Sequence, residues 1–346
     1  PLMDFFTSIG LVILLFKGGS MVLANVITLG TLVAMQRYLQ KLVWPMMALG
    51  FSVSFYQRAR ASTDRLDEIF KEQNEVREPP APGPRQIRGE IEFRNLSFRY
   101  PGSEKDALKS LSFRSQPGMR TAIVGPVGSG KSTLLGLIPR FYLAPEQALF
   151  IDGHPVEEFN LGVLRRSIAY VSQEPYLFSE TLMSNIAWGD PDNRMRSMEQ
   201  VIEQSQLKTD LSSLPEKEQT ILGERGVNLS GGQRQRVAIA RAWWLDSPIL
   251  LMDDTLSAVD VHTEERLLQA LKQESGSKNL IISSHRISTV REAEQILVLN
   301  DGTLVDQGQH SELIQKKNSI YARFYERQRR EEDLEQFLDT QARPSI

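Results

Sequence analysis

The amino-acid sequence predicts an α/β domain, a mixed sheet core with an inserted helical lobe, preceded by two long apolar helices. Three observations carry that expectation. The first is Gly125–Thr133 (GPVGSGKST), a glycine-rich loop between the strand-like Arg120–Val124 (RTAIV) and the helix-like Ser132–Phe141. The second is Ile249–Met252 (ILLM) after Pro248, a continuous apolar run typical of parallel strands buried on both faces. The third is a change of composition, because residues 1–57 are far more apolar than the chain that follows them.

The 346 residues allow about two domains. A net charge of −3 gives no attraction for nucleic acid, so no nucleic-acid partner is expected. The chain has no cysteine, which excludes disulfides, thiolate zinc sites and cysteine nucleophiles. His154, His262, His285 and His310 show no metal-ligand spacing. Apolar residues follow Pro1 directly, which reads as a piece of a longer protein rather than a signal peptide.

Taken in order, Phe5–Phe16 and Met21–Ala24 make a first span over about residues 1–24, with a small-residue patch at Gly18–Ser20. Ala24–Ile27 is a short turn around Asn25, and residues 28–55 form a second long helix, ample for the roughly 20 residues a bilayer needs. Gln36, Arg37, Gln40 and Lys41 fall on one side of it, and charges inside a membrane helix face a bundle interior or a watery cavity. Trp44-Pro45 marks an interfacial or a kinked point. Arg58, Arg60 and Arg65 place the far end in the cytoplasm, and a polar helix continues to residue 71. Residues 1–71 are thus the expected end of a transmembrane domain.

Residues 72–89 form a linker, with prolines between Pro79 and Pro84 that forbid a helix. A domain over 90–330 begins with Ile91–Tyr100, whose alternation marks an edge strand. Ala107–Phe113, Arg120–Val124, Ala148–Asp152 and Ile168–Ser172 follow as strands, and residues 174–245 form the helical lobe. After ILLM come Leu280–Ser283 and Ile296–Leu299, the latter turned back in a hairpin by Asp301-Gly302. From Ser319 the chain reads as a charged helix without a core signature, and residues 331–346 as a charged tail.

The glycine-rich loop fits G-x-x-x-x-G-K-[ST], the phosphate-binding loop, which makes the fold class an α/β P-loop NTPase. Gly125, Gly128 and Gly130 let backbone N–H groups approach phosphate oxygens where a Cβ would collide. Pro126, Val127, Ser129 and Thr133 complete the loop, Lys131 supplies a point charge to the β- and γ-phosphates, and the Ser132 hydroxyl is suited to Mg²⁺. Asp253 and Asp254 end the ILLM strand, where open α/β sheets bind ligands. One carboxylate there can hold Mg²⁺ and the next can act on an attacking water. Leu229–Gln233 (LSGGQ) is a second anion-binding pattern, in which Ser230 is an N-cap and Gly231 and Gly232 leave N–H groups open at the positive end of a helix.

The ordered set Tyr100, GPVGSGKST, Gln173 in VSQEP, LSGGQ, ILLMDD, SAVD at Ser257–Asp260, and His285 in ISSHR resembles the ATP-binding cassette. The match covers about Glu90 to Glu326. The two apolar helices ahead of it resemble the last two of six spans in an exporter half of multidrug or lipid type. Gly223–Gly226 (GERG) resembles the loop by which exporter cassettes touch the membrane domain. The resemblance implies ATP and Mg²⁺ as cofactors. It implies that Tyr100 stacks on adenine, that Ser132, Asp253 and Gln173 hold the metal, and that His285 donates to the γ-phosphate. It implies that Ser230, Gly231, Gly232 and Gln233 contact ATP held by a second cassette, with Asp260 at the same interface. The implied partners are a second half-transporter, in a heterodimer by preference with a homodimer as the alternative, a lipid bilayer and a transported small molecule or lipid. The implied location is a plasma (inner) membrane, multi-pass, with the cassette cytoplasmic.

One departure stands out. Most such cassettes have Glu after the strand-terminal Asp, and this chain has Asp254. The shorter side chain places the carboxylate about 1 Å or more from a water-polarising position, a displacement that can cost about 100-fold in rate. With an intact LSGGQ, this resembles the impaired-site subunit of a heterodimeric exporter. The alternative is a non-hydrolysing, ATP-dependent dimerisation or regulatory cassette.

Overall fold

In the computed structural model, residues 2–72, 76, 78–79, 83–84, 86–190, 196–226, 228–274, 276–316 and 319–330 are described. Much of the expected linker and all of the expected tail over 331–346 lie outside them. The chain falls into two compact units, Pro1–Glu75 and Val76–Ile346.

The first unit is a helical hairpin of α1 (Leu2–Leu23) and α2 (Leu29–Lys71). Asn25 takes a left-handed conformation (φ 54°) in the connecting turn, which its short polar side chain tolerates. Thr28 then caps α2 by accepting from the Thr31 N–H at 3.1 Å. Leu32 packs onto Gly18, where a Cβ would collide with it, and Gly10 faces Leu39, so the two helices run antiparallel. Leu32 is buried, while Phe16, Leu23, Leu42 and Phe55 are exposed. Among the described residues one helical stretch, Phe5–Leu23, is long and apolar enough to cross a membrane. The second stretch, over 28–55, does not reach the same apolarity, because Gln36, Arg37, Gln40 and Lys41 dilute it. Pro45 lies inside α2, which remains helical on both sides of it.

The second unit holds two sheets. An antiparallel sheet orders β1 (Ile91–Phe98), β2 (Leu108–Ser115), β4 (Leu149–Ile151) and β5 (His154–Pro155) as β2-β1-β4-β5. A mixed sheet orders β3 (Arg120–Val124), β6 (Ile168–Val171), β7 (Ile249–Asp253), β8 (Asn279–Ser283), β9 (Gln295–Asn300) and β10 (Thr303–Gly308) as β10-β9-β3-β8-β7-β6. Strands β9, β3, β8, β7 and β6 are parallel; β10 returns antiparallel through Asp301 and Gly302, both at positive φ. Alternate residues of β7 enter separate cores. Leu250 and Met252 face the one shared with the helical lobe, and Ile249 and Leu251 the one shared with β1 and β2. This is why the ILLM run is apolar without a break.

The helices are α3 (Lys131–Leu137), α4 (Leu161–Arg166), α5 (Leu182–Ile186), α6 (Met198–Gln204), α7 (Lys208–Ser213), α8 (Gly231–Leu245), α9 (Val261–Glu274), α10 (Ile287–Val290), α11 (His310–Leu313) and α12 (320–330). Helix α3 is shorter than the expected run to Phe141: it ends at Leu137, and although Ile138 is still helical in backbone, Pro139 has no N–H with which to continue the ladder. The absence of a core signature after Ser319 is also corrected. Tyr321 is fully buried, and Ile320, Phe324 and Tyr325 pack against the core. The stripe of Tyr321, Phe324 and Tyr325 has helical spacing but is hidden among arginines and glutamates in the sequence.

Candidate nucleotide site

Parallel register brings the candidate residues to one sheet edge. Ile123 pairs with Ser283, and Ser283 with Asp253, so β3, β8 and β7 end almost level. The phosphate loop leaves β3, His285 follows β8, the Asp253-Asp254 pair closes β7, and Gln173 follows β6.

Gly125 must be glycine, since a Cβ there would strike the Leu299 carbonyl at φ 157°. Gly130 (φ 99°) has no room for one either, with Leu108 Cδ2 at 2.7 Å and the Ala107 carbonyl at 2.8 Å. As N-cap of α3, Gly130 offers no side-chain bond, so the first N–H groups of the helix remain for an anion. Beside them, the Ser129 hydroxyl is buried and has no hydrogen-bond partner among the described residues. Lys131 Nζ donates to the Gly125 and Pro126 carbonyls at 2.8 and 2.9 Å. Burial holds the Lys131 ammonium below its ordinary pKa, and the charges of Asp254 and Asp253 oppose that shift. Ser132 and Val127 are exposed, and Thr133 is buried with its hydroxyl 2.9 Å from the Tyr100 hydroxyl. Tyr100 also packs edge-on against Phe98 and Tyr142, half-buried at the mouth of the loop.

Asp253 is buried, and two residues absent from the sequence expectations orient it. Ser283 Oγ donates to its Oδ1 at 2.6 Å and the Tyr170 hydroxyl to its Oδ2 at 3.4 Å. Burial, then the neighbouring Asp253 charge, push the Tyr170 phenol well above its ordinary pKa, so it stays a donor. Asp254 adopts a left-handed conformation (φ 48°), with its N–H donating to the Ser283 carbonyl and hydroxyl at 3.0 and 3.1 Å. Its Oδ1 lies 2.7 Å from His285 Nδ1, and its Oδ2 accepts from Gln173 Nε2 at 3.3 Å. Gln173, His285, Asp253, Asp254 and Lys131 therefore form one constellation. The oxygen donors of Ser132, Asp253 and Gln173 suit a hard cation such as Mg²⁺.

The second anion motif is built differently. Ser230 caps α8 in a reciprocal box, accepting from the Gln233 N–H at 3.2 Å while Gln233 Oε1 accepts from the Ser230 N–H at 2.8 Å. Gly232 lies against Ala258, whose carbonyl would stand 2.8 Å from an added Cβ. Gln235 accepts from the Ala258 N–H at 3.2 Å. Among the described residues no hydrogen bond joins Ser230, Gly231, Gly232 or Gln233 to this chain's own phosphate loop. Asp260 caps α9 by accepting from the Thr263 N–H at 3.1 Å, which holds its carboxyl below the usual range. An open groove of about 710 Å³ runs beside Gln173, Tyr176, Glu224, Gly231 and Ser257. Glu224 belongs to the GERG segment, a short 3₁₀ turn.

A phosphate loop, a strand-end acid pair and a capped LSGGQ helix on one mixed sheet define a nucleotide-binding cassette. Residues 108–257 match the family described as ABC transporter, and this domain is an ABC transporter ATP-binding domain, of an ATPase family. The chain is 38% identical over 332 residues to an uncharacterized ABC transporter ATP-binding protein, YknU, of Bacillus subtilis, covering 96% of this chain and 57% of that protein. It is 41% identical over 289 residues to an ATP-dependent lipid A-core flippase of Aromatoleum aromaticum, covering 83% and 48% of the two chains. A bacterial Atm1-family ABC exporter solved with ATP bound superposes with a TM-score of 0.74 at 31% identity, over 94% of this chain and 57% of that one. The chain thus spans about half the length of the relatives it matches.

Proposed function

We propose that this chain is the ATP-binding and ATP-hydrolysing half of an ABC exporter, paired through its cassette with a second half-transporter of different sequence. Its hairpin sits in a plasma (inner) membrane and its cassette in the cytoplasm, in keeping with the exposed apolar surface of Phe5–Leu23 and the arginines after Phe55. The cargo is a hydrophobic small molecule or lipid, the class that the names of the flippase relative and of a probable multidrug resistance relative of Bacillus subtilis suggest.

In this reading Lys131 exchanges the Gly125 and Pro126 carbonyls for phosphate oxygens, and Tyr100 offers its ring to adenine. Ser132, Asp253 and Gln173 would hold Mg²⁺, which would neutralise phosphate charge. Ser283 and Tyr170 fix the orientation of the Asp253 carboxylate. Ser230, Gly231, Gly232 and Gln233, with Asp260 nearby, serve the nucleotide of the partner cassette, since their own phosphate loop is not their hydrogen-bonding neighbour.

The observation that carries the asymmetric reading is at Asp254. Both of its carboxylate oxygens are engaged, one by His285 and one by Gln173, on a side chain one methylene short. A base so held has little freedom to take a proton from water. ATP at this site is held long and cleaved slowly, and the partner's site powers transport. The test is turnover of the purified pair. Replacing the partner's catalytic Glu by Gln should remove most hydrolysis. A homodimer of this chain that hydrolyses at an ordinary transporter rate, and loses it in Asp254→Asn, would refute the asymmetric model. The same observation favours a second reading, a cassette that dimerises on ATP without hydrolysis; absence of turnover in every pairing would select it.

A further inference from the structure

We propose that Gln328, on the C-terminal helix α12, is the positioning residue for His285. His285 sits in a loop of three residues between β8 and α10, and its ring direction depends on how the flanking peptides are held. One side chain from α12 grips that backbone on both sides of Arg286. Gln328 Nε2 donates to the His285 carbonyl at 2.5 Å, and Gln328 Oε1 accepts from the Ile287 N–H at 2.7 Å. The amide has one workable orientation here, because a flip would set oxygen against carbonyl and NH₂ against N–H. Arg286, the N-cap of α10, makes no side-chain cap, so Gln328 supplies the acceptor that the first turn lacks.

The opposite side of the loop is fixed by Arg286 itself. Its guanidinium donates to the Ser257 carbonyl at 2.9 Å, to the Val259 carbonyl at 3.1 Å and to the buried Glu264 carboxylate at 2.5 Å. Glu264 accepts further from the Ser288 and Thr289 hydroxyls at 2.9 and 2.7 Å. His285 is thereby clamped between α12 and the Ser257–Asp260 segment. The α12 side of the clamp is rigid because Tyr321, Phe324 and Tyr325 anchor the helix in the core. Gln328 follows Tyr321 by seven residues, two turns on, along the same face.

The consequence concerns discrimination between ATP and ADP, and it rests on the reading that His285 faces the γ-phosphate. A clamp on the His285 backbone affects that contact and leaves the α- and β-phosphate contacts of the loop alone. The experiment uses the full-length transporter with its partner, the partner's own nucleotide site disabled, and measures Mg·ATP and Mg·ADP affinity by displacement of a fluorescent nucleotide. Gln328→Met keeps the size and removes both hydrogen bonds. It should weaken ATP about tenfold, the scale of one weakened hydrogen bond to a charged group, and leave ADP within about twofold of wild type. Gln328→Glu, whose carboxylate opposes the His285 carbonyl, should be no better. His285→Ala should show the same selective loss, and the double variant His285→Ala with Gln328→Met should be no worse than His285→Ala alone.

Wild-type ATP affinity in Gln328→Met, beside a selective loss in His285→Ala, overturns the proposal alone. So does an equal loss of ATP and ADP affinity in Gln328→Met, or additive losses in the double variant, since either marks a packing role. Unchanged ATP-over-ADP preference in His285→Ala overturns the reading of His285 itself, and the proposal with it.

Discussion

Asp254 Oδ1 lies 2.7 Å from His285 Nδ1, joining the ends of the adjacent strands β7 and β8. A carboxylate only accepts, so Nδ1 carries a hydrogen and Nε2 is the ring atom turned outward; as an imidazolium, with hydrogen on both nitrogens, the ring donates through each. His285 is half-exposed while the Asp254 side chain is 15% exposed, so the acid is the inner member of the pair. The candidate base is thus a support for the candidate γ-phosphate donor. A longer acid would reach past the ring. Asp254→Glu is expected to raise hydrolysis at this site by about tenfold or more, read as phosphate release by a pair whose partner base is Gln. Unchanged release would show that side-chain length is not what limits the site.

Lys131 is the next test. Its ammonium is bound to two carbonyls of its own loop and packs no core, so Lys131→Ala should leave the unfolding temperature unchanged. Mg·ATP affinity should fall by at least about 100-fold, the loss of a desolvated charge-assisted contact of about 3 kcal/mol. Equal affinity in the two proteins would remove the phosphate-loop assignment.

The adjacent glycines of the LSGGQ motif should separate cleanly. A Cβ at Gly232 meets the Ala258 carbonyl at 2.8 Å, and backbone cannot swing aside as a side chain can. Gly232→Ala is expected to cost about 1–3 kcal/mol in chemical denaturation, by forcing α8 away from Ala258. A Cβ at Gly231 meets only the Ala258 Cβ at 3.5 Å, an ordinary contact, so Gly231→Ala should stay within about 0.5 kcal/mol of wild type. Equal losses at both positions would contradict the packing.

What was legible in the sequence followed from local pattern. The ILLM run showed β7 because both faces of a central parallel strand are apolar, and the Asp301-Gly302 turn showed β9 and β10 because positive φ leaves few residue choices. The loop that holds Gly125 and Lys131 was legible as a turn from strand to helix because glycines at fixed spacing mark it. Ser283 and Tyr170 were not, since a strand-end serine and tyrosine look the same whether or not a carboxylate lies across the sheet. Arg286 meets Glu264 across 22 residues of separation, and Gln328 meets His285 across 43. Such pairings depend on tertiary placement that no local periodicity encodes. The docking of α12 was missed because three aromatics among many charges make too short a stripe to outweigh them.

That docking provides the last prediction. His310 Nδ1 lies 2.7 Å from the Tyr321 hydroxyl, and the ring packs edge-on against Tyr321 and Tyr325. Burial, and then the charge of Arg291, hold the His310 imidazole below its ordinary pKa, so the folded state prefers the neutral ring. The unfolded chain binds this proton more readily, near the ordinary histidine pKa of about 6.5. The stabilisation is therefore fully present above that value and declines as pH falls from there toward the lower folded pKa. The loss should appear first in α12, as lower amide protection over 320–330, each rate taken relative to the intrinsic rate at that pH, between about pH 7 and pH 5. Tyr321→Phe, which strips the ring of its partner, should cost about 1 kcal/mol at neutral pH. Tyr321→Ala, which empties a fully buried site, should cost about 3–5 kcal/mol. His310→Gln should flatten the pH dependence of exchange in α12. An undiminished acid loosening in that variant would place the sensitive group elsewhere.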